Sequence, residues 1–149
     1  MRDWSLTATF TAESGTPFTA RIVGAVSDVA RGTNGTLRAN YTGADIALDE
    51  PTLLRFFDTD AFTVPAAGVF GNAARNTIIG PGQHLHNAAV GRDVRLSGNR
   101  VMSVRVEANN VLNTVRYGTI DTVVNSPTFG QVISVLPMRS VLLNLRFRY

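Results

Sequence analysis

The most constraining feature of this 149-residue chain is the strict alternation of side chains in its final stretch. Successive side chains of a β-strand point to opposite faces, so alternate positions share a face. One face of this segment carries Val141, Leu143, Leu145, Phe147 and Tyr149. The intervening positions are almost wholly polar and include Arg146 and Arg148. This period of two predicts a long, two-faced β-strand.

The same period recurs in three earlier segments, 4–13, 86–96 and 102–112. In the first of them one face carries Trp4, Leu6, Ala8, Phe10 and Ala12. The segment 86–96 is the weakest of the three because its residues have lower β-propensity. Helical periodicity is nearly absent, apart from a short helix that Asp49 could cap, with Pro51 in its first turn and Leu53, Leu54, Phe56 and Phe57 on its apolar side. The sequence therefore predicts an all-β fold, an antiparallel meander of about four long strands.

Strand length and connection length point to a membrane barrel. Each run has roughly ten residues, close to the number that crosses a bilayer at a tilt. The connections between the runs are long, then short, then long, and turn-forming clusters such as 32–35 fill the first of them. Outer-membrane barrels have short periplasmic turns and long extracellular loops. We therefore expect a partial transmembrane β-barrel wall with long extracellular loops, although the chain has no apolar stretch suited to a transmembrane helix.

The polar faces of the last two strands indicate whether the predicted sheet belongs to a membrane barrel or to a soluble core. These positions are Arg105, Glu107, Asn109, Asn144, Arg146 and Arg148. Such charge does not suit a packed core, whereas a lumen accepts it, so we predict that these side chains face the lumen. Glu107 could pair with Arg146 or Arg148 across adjacent strands, depending on the register. The alternative is a secreted or surface β-sandwich binding module that hides the apolar faces in one core.

Sites for other chemistry are weakly supported. The chain has no Cys, and its basic residues are dispersed arginines, so we expect no nucleic-acid partner. His84 and His86 share one side of a strand but have no third metal ligand nearby, and Arg75 could contact a ligand or a neighbouring loop. The acidic loop residues, Asp45, Asp49, Glu50, Asp58 and Asp60, lack a calcium-loop spacing. We expect no catalytic residue, no metal site, no cofactor and no enzymatic activity.

Several blocks of sequence resemble the C-terminal part of a TonB-dependent outer-membrane receptor, of the Oar-like type that has a carboxypeptidase-regulatory-like domain. The blocks are 14–18 (SGTPF), 70–82 (FGNAARNTIIGPG), 105–113 (RVEANNVLN), 125–130 (NSPTFG) and 145–149 (LRFRY). Their order and spacing cover most of the chain from Trp4 onward. No single block is decisive on its own.

The resemblance implies a barrel of about 22 strands around an N-terminal plug, which imports scarce, large nutrients with energy passed through TonB. It also implies that Val141, Leu143, Leu145, Phe147 and the terminal aromatic Tyr149 form the signal read by the barrel-assembly machinery. Four strands are too few to close a membrane barrel. We therefore expect residues 1–149 to be the C-terminal part of such a receptor, without its plug and not functional alone.

The same resemblance implies the partners and the location of the chain. The expected partners are outer-membrane lipid, the remaining barrel and plug of the receptor, the barrel-assembly machinery, and TonB only through the plug. The expected location is the bacterial outer membrane.

Overall fold

The computed structural model describes residues 3–23, 37–66 and 69–149. Two compact units are present: Met1–Glu13, Gln83–Arg116 and Leu136–Tyr149 form the first, and Ser14–Gly82 with Tyr117–Val135 form the second. The strands are β1 (Trp4–Glu13), β2 (Pro17–Phe18), β3 (Arg21–Ile22), β4 (Leu37–Arg38), β5 (Asn40–Tyr41), β6 (Phe62–Thr63), β7 (Ile78–Ile79), β8 (Gln83–Arg95), β9 (Val101–Asn109) and β10 (Ser140–Arg148). A short 3-10 helix spans Thr59–Ala61. Within these ranges, no helix is long and apolar enough to cross a membrane.

The first unit is a four-stranded sheet, here called the wall sheet, with strand order β1-β8-β9-β10. All three pairings are antiparallel. The predicted meander of about four long strands is therefore confirmed. The chain crosses from β8 to β9 through a tight turn, in which Leu96 N donates to Arg100 O at 2.8 Å and Gly98 has a φ of +71°. The long connections leave the sheet at its other end.

The register of the wall sheet keeps like side chains together. Leu6 lies opposite Val90, Val90 opposite Val106, and Val106 opposite Leu143. Paired residues of an antiparallel sheet share a face, so this row runs across all four strands on one side. A slip of one residue in any pairing would bring polar and apolar side chains together on both faces.

Strand β9 ends earlier than the alternation predicted. Asn110 and Asn113 have φ values of 51° and 54°, in the left-handed region that Asn tolerates better than most residues. The buried Asn110 side chain donates to Thr114 O at 2.9 Å and accepts from Thr114 N at 3.1 Å. The left-handed backbone and these local bonds interrupt the regular strand, although Val111 N still donates to His86 O at 2.8 Å. The predicted continuation of this strand to Leu112 is therefore wrong.

The second unit, here called the loop unit, folds the two long connections around a core of their own. The core residues are Ala20, Ala39, Phe57, Ala61, Phe62, Ala73, Ile78 and Ile120. Phe57 packs edge-on against Phe62 and Phe129, with ring centroids 6.1 and 5.3 Å apart. Three small sheets, β2-β7, β3-β4 and β5-β6, complete the unit. The turn-forming cluster 32–35 lies outside the described residues.

Two of the sequence blocks meet inside the loop unit. Gly80 N donates to Thr16 O at 2.9 Å. A Cβ on Gly15 would lie 1.7 Å from Gly80 O, so the two backbone segments approach each other as only glycine allows. Gly71 makes a similar approach to the backbone of Ala39. The blocks 14–18 and 70–82 thus contribute close backbone contacts that stabilise this unit.

The predicted short helix after Asp49 is wrong. The one local backbone bond among the described groups runs from Thr52 N to Arg55 O at 2.9 Å, opposite to the helical direction, and other backbone groups bond to distant segments. Phe56 N donates to Gly130 O at 2.8 Å, and Asp58 N donates to Ile46 O at 2.8 Å. Phe57 is buried in the core while Leu54 is exposed. Tertiary bonding therefore overrides the local helical pattern.

Asp121 fixes the loop that contains the block 125–130. Its Oδ2 accepts from Ser126 Oγ at 2.5 Å and Thr128 Oγ1 at 2.6 Å, and its Oδ1 accepts from Val123 N at 2.9 Å. Burial of this carboxylate raises its pKa, but these three hydrogen bonds and the charge of Arg21 outweigh burial, so the pKa lies below its ordinary value. The ionised carboxylate therefore stabilises the folded loop.

A lowered pKa predicts that the loop unit loses stability in acid. The contribution of Asp121 is fully present above the unfolded-state pKa, near pH 4, and is lost as the pH falls through the lower folded-state pKa. Asp121→Asn should lower the free energy of unfolding by about 1–3 kcal/mol at neutral pH and flatten its dependence below about pH 4. Denaturant unfolding followed by the Ile120 methyl NMR signal measures both effects. Asp45→Asn, at an exposed loop carboxylate, is the control and should keep the wild-type profile; an unchanged profile in Asp121→Asn would contradict the assignment.

Candidate functional site

One side of the wall sheet, here called the apolar face, is a continuous band across all four strands. It carries Trp4, Leu6, Ala8, Phe10, Ala88, Val90, Val94, Met102, Val104, Val106, Ala108, Val141, Leu143, Leu145 and Phe147. The register places three polar residues of β8, His84, His86 and Arg92, on the same side. The four β10 side chains among them are each more than half exposed, and Tyr149 is fully exposed. The structure thus lines up the predicted assembly-signal residues along one uncovered edge strand. Their recognition by an assembly machinery stays a prediction.

Aromatic groups mark both ends of the apolar face. Near the β8–β9 turn, the Arg92 guanidinium lies 5.0 Å from the centroid of the Trp4 ring. At the other end, the Phe10 ring lies 4.8 Å from the His86 ring and 6.1 Å from the His84 ring. Both histidines therefore pack beside an aromatic ring on the apolar face. Aromatic residues at the two ends of an apolar band are typical of membrane barrels.

The opposite side of the sheet, here called the polar face, carries hydroxyl, amide and charged side chains. Its members include Ser5, Thr7, Thr9, Asn87, Ser103, Arg105, Glu107, Asn109, Asn144, Arg146 and Arg148. Arg105 lies opposite Asn144, and the Asn109 side chain donates to Ser140 Oγ at 3.4 Å. All six predicted lumen residues therefore share one face. That this face lines a lumen stays a prediction.

The predicted partner of Glu107 is wrong. The register places Leu142 opposite Glu107, and places Ser103 and Val101 opposite the two β10 arginines. Glu107 Oε1 instead accepts from Arg105 Nε at 2.6 Å, within strand β9. Sequence alternation shows which residues share a face, but it does not show which of them are neighbours.

An open groove of about 510 Å³ runs along the polar face. The polar residues in its lining are Asp3, Ser5, Arg92, Asp93, Ser103, Arg105, Asn144, Arg146 and Arg148, of which Arg92 belongs by register to the apolar face. The Arg146 and Arg148 side chains make no hydrogen bond or ion pair with any residue in the described ranges. The groove can therefore attract acidic groups from outside the chain.

Two acidic side chains of the loop unit are bound by an arginine of the same unit. Arg55 pairs with Asp58 and, at 3.2 Å, with Asp60. Across 3–23, 37–66 and 69–149, no cluster of three or more histidines or carboxylates could hold a metal ion. Arg75 is exposed. An apolar pocket of about 320 Å³, which includes Ile46, Leu48, Phe56 and Ile79 in its lining, was not indicated by the sequence because its lining comes from distant segments.

Comparison with known proteins agrees with this geometry. Residues 1–141 match the model of a family described as an outer membrane beta barrel domain. The chain therefore belongs to this family and is an outer-membrane β-barrel protein, located in the bacterial outer membrane. No curated protein and no solved structure matches the chain.

The two sides of a membrane-barrel wall meet different surroundings. Hydrocarbon offers no hydrogen bonds, so only the apolar face can lie against it. The polar face can line water or a packed lumen. The exposed β10 side chains count against the β-sandwich alternative, because a sandwich would bury them beneath a second sheet.

Two adjacent leucines on β10 test this arrangement. Leu143 lies on the apolar face and Leu142 on the polar face, with similar exposures of 58% and 55%. Leu143→Arg should lower the free energy of unfolding in lipid vesicles by about 2–4 kcal/mol, the cost of arginine near the bilayer midplane. Leu142→Arg, the matched control, should cost far less. Equal losses in the two variants would contradict the assignment of the faces.

Proposed function

We propose that the chain is a wall segment of a TonB-dependent outer-membrane receptor that takes up nutrients, and that it works only together with the rest of that receptor. The observation that carries the proposal is the loop unit, in which both long connections share one core through Phe57, Ile120 and Phe129. A simple pore needs no such unit, whereas a receptor for large, scarce nutrients needs extensive folded loops that can recognise them.

The lengths of the connections give the proposed orientation. The β8–β9 turn is tight, and the connections built into the loop unit leave the opposite end of the sheet. Outer-membrane barrels place short turns in the periplasm and long loops outside the cell. The Trp4 end of the apolar face is therefore assigned to the periplasmic leaflet, and the Phe10 end to the outer leaflet.

The groove gives the proposed role of the polar face. Its two unpaired arginines, Arg146 and Arg148, face the barrel lumen in this proposal. There they are available to the remaining barrel and to the plug, through which TonB acts. Both β1 and β10 have a free edge in the described residues, and further barrel strands would pair with them. The barrel-assembly machinery is the proposed partner during folding.

The proposal assigns the chain no enzymatic activity, no cofactor and no nucleic-acid partner. In support, the Glu107 carboxylate of the polar face is bound to Arg105 at 2.6 Å, among hydroxyl and amide side chains. Selectivity for the nutrient is assigned to the extracellular loops together with the plug.

Energy coupling distinguishes a TonB-dependent receptor from a passive barrel. We expect that deletion of the gene for this protein abolishes saturable uptake of a large, scarce nutrient by intact cells. Deletion of tonB, or collapse of the proton-motive force, should abolish the same uptake without lowering the amount of the protein in the outer membrane. Uptake of labelled candidate nutrients measures these effects.

Two results would contradict the proposal. One is uptake that continues unchanged without TonB, which would indicate a passive channel. The other is a coding sequence for this barrel that lacks any plug-encoding region.

A further inference from the structure

Arg92 is the one charged side chain on the apolar face within the described strands. Its β1 partner is Trp4 and its β9 partner is Val104. The neighbouring positions of β8 on this face are Val90 and Val94. A lone arginine among valines on a face that contacts hydrocarbon is costly unless its charge reaches a polar layer.

No group of the described chain neutralises this arginine. Arg92 makes no hydrogen bond and no ion pair with any residue in those ranges. Its one specific contact is with the Trp4 ring, at 5.0 Å between the guanidinium carbon and the ring centroid. A cation on an indole face is held in place, while the guanidinium keeps its N–H donors for another partner. Any counter-charge that Arg92 meets in a membrane therefore comes from outside the described residues.

The position of Arg92 indicates where that counter-charge lies. Arg92 is three residues from the end of β8, at Arg95, which corresponds to about 10 Å along the strand. A long arginine side chain can extend over part of this distance towards the headgroups. Trp4 begins its strand on the same row, and tryptophan favours the boundary between hydrocarbon and headgroups.

We propose that Arg92 and Trp4 form a binding site for the phosphodiester group of a glycerophospholipid in the periplasmic leaflet. The planar guanidinium suits bidentate binding of phosphate oxygens, and the Trp4 ring orients it. The choice of leaflet rests on the orientation given with the proposed function. The contact fixes the depth of the wall sheet in the bilayer at this end.

Fluorescence tests the site directly because Trp4 is the single tryptophan of the chain. The 149-residue chain is inserted into phosphatidylglycerol vesicles that contain lipids brominated near the headgroup or near the chain end. Wild type and Arg92→Lys should show Trp4 quenched mainly by the shallow label. In Arg92→Gln the ratio of shallow to deep quenching should fall about twofold, because no charge holds this row at the headgroups. Arg95→Gln, on the same strand but on the polar face, should behave as wild type.

A second arm separates phosphate binding from a general preference for the interface. In vesicles of digalactosyldiacylglycerol, which has no phosphate, the wild-type Trp4 emission maximum should shift to that of Arg92→Gln. The site is overturned if Arg92→Gln and wild type show the same depth, or if the galactolipid leaves the wild-type emission unchanged. If neither brominated lipid quenches wild-type Trp4, the apolar face does not contact lipid, and both the site and the proposed wall segment fail.

Discussion

The absence of hydrogen-bonding partners in hydrocarbon is the constraint on which this structure depends. A membrane-spanning sheet must satisfy its backbone groups through neighbouring strands and must present only apolar side chains to lipid. The register of the wall sheet meets the second condition over most of the face, where it joins Leu6, Val90, Val106 and Leu143 in one row, and Arg92 is the charged exception. Apart from Arg92, His84 and His86, the hydrogen-bonding and charged side chains of the sheet are thereby gathered on the other face, where the groove lies.

The loop unit meets a different requirement, since it lies outside the proposed membrane-spanning strands. Its core is small and rich in alanine. Backbone segments also approach each other closely at Gly15 and Gly71, where a side chain would not fit. Polar groups then fix the loops, as the Asp121 carboxylate does for the block 125–130. The sequence blocks that resemble receptor loops are thus largely explained by the folding of the loops themselves, rather than by a ligand site.

Part of the fold could be predicted from the sequence because strand alternation is a local property. Strand β1 was predicted with its observed bounds, Trp4–Glu13, since each side chain's face follows from its position alone. The early residues of β8 could not be predicted, because Gln83 is in the strand through its pairing with Glu13, far away in sequence. The same limit explains the wrong helix after Asp49, whose backbone groups bond to Gly130 and Ile46.

For the candidate site, the sequence predicted which side chains share a face but not which of them are in contact. Alternation placed the arginines of β9 and β10 on one face. The Arg105–Glu107 pair depends on side-chain conformation within β9, and the groove depends on how the strands are paired. The contact between Trp4 and Arg92 also had no sequence signal, because the two residues are brought together only by the β1–β8 pairing.

The most direct test of the two-faced wall is a spin-label scan along β10 in lipid vesicles. Labels at 141, 143, 145 and 147 should collide mainly with oxygen, which concentrates in hydrocarbon. Labels at 142, 144 and 146 should collide mainly with a water-soluble nickel complex. Accessibility that alternates with this phase is the predicted result, and accessibility without alternation, or with the opposite phase, would contradict the account.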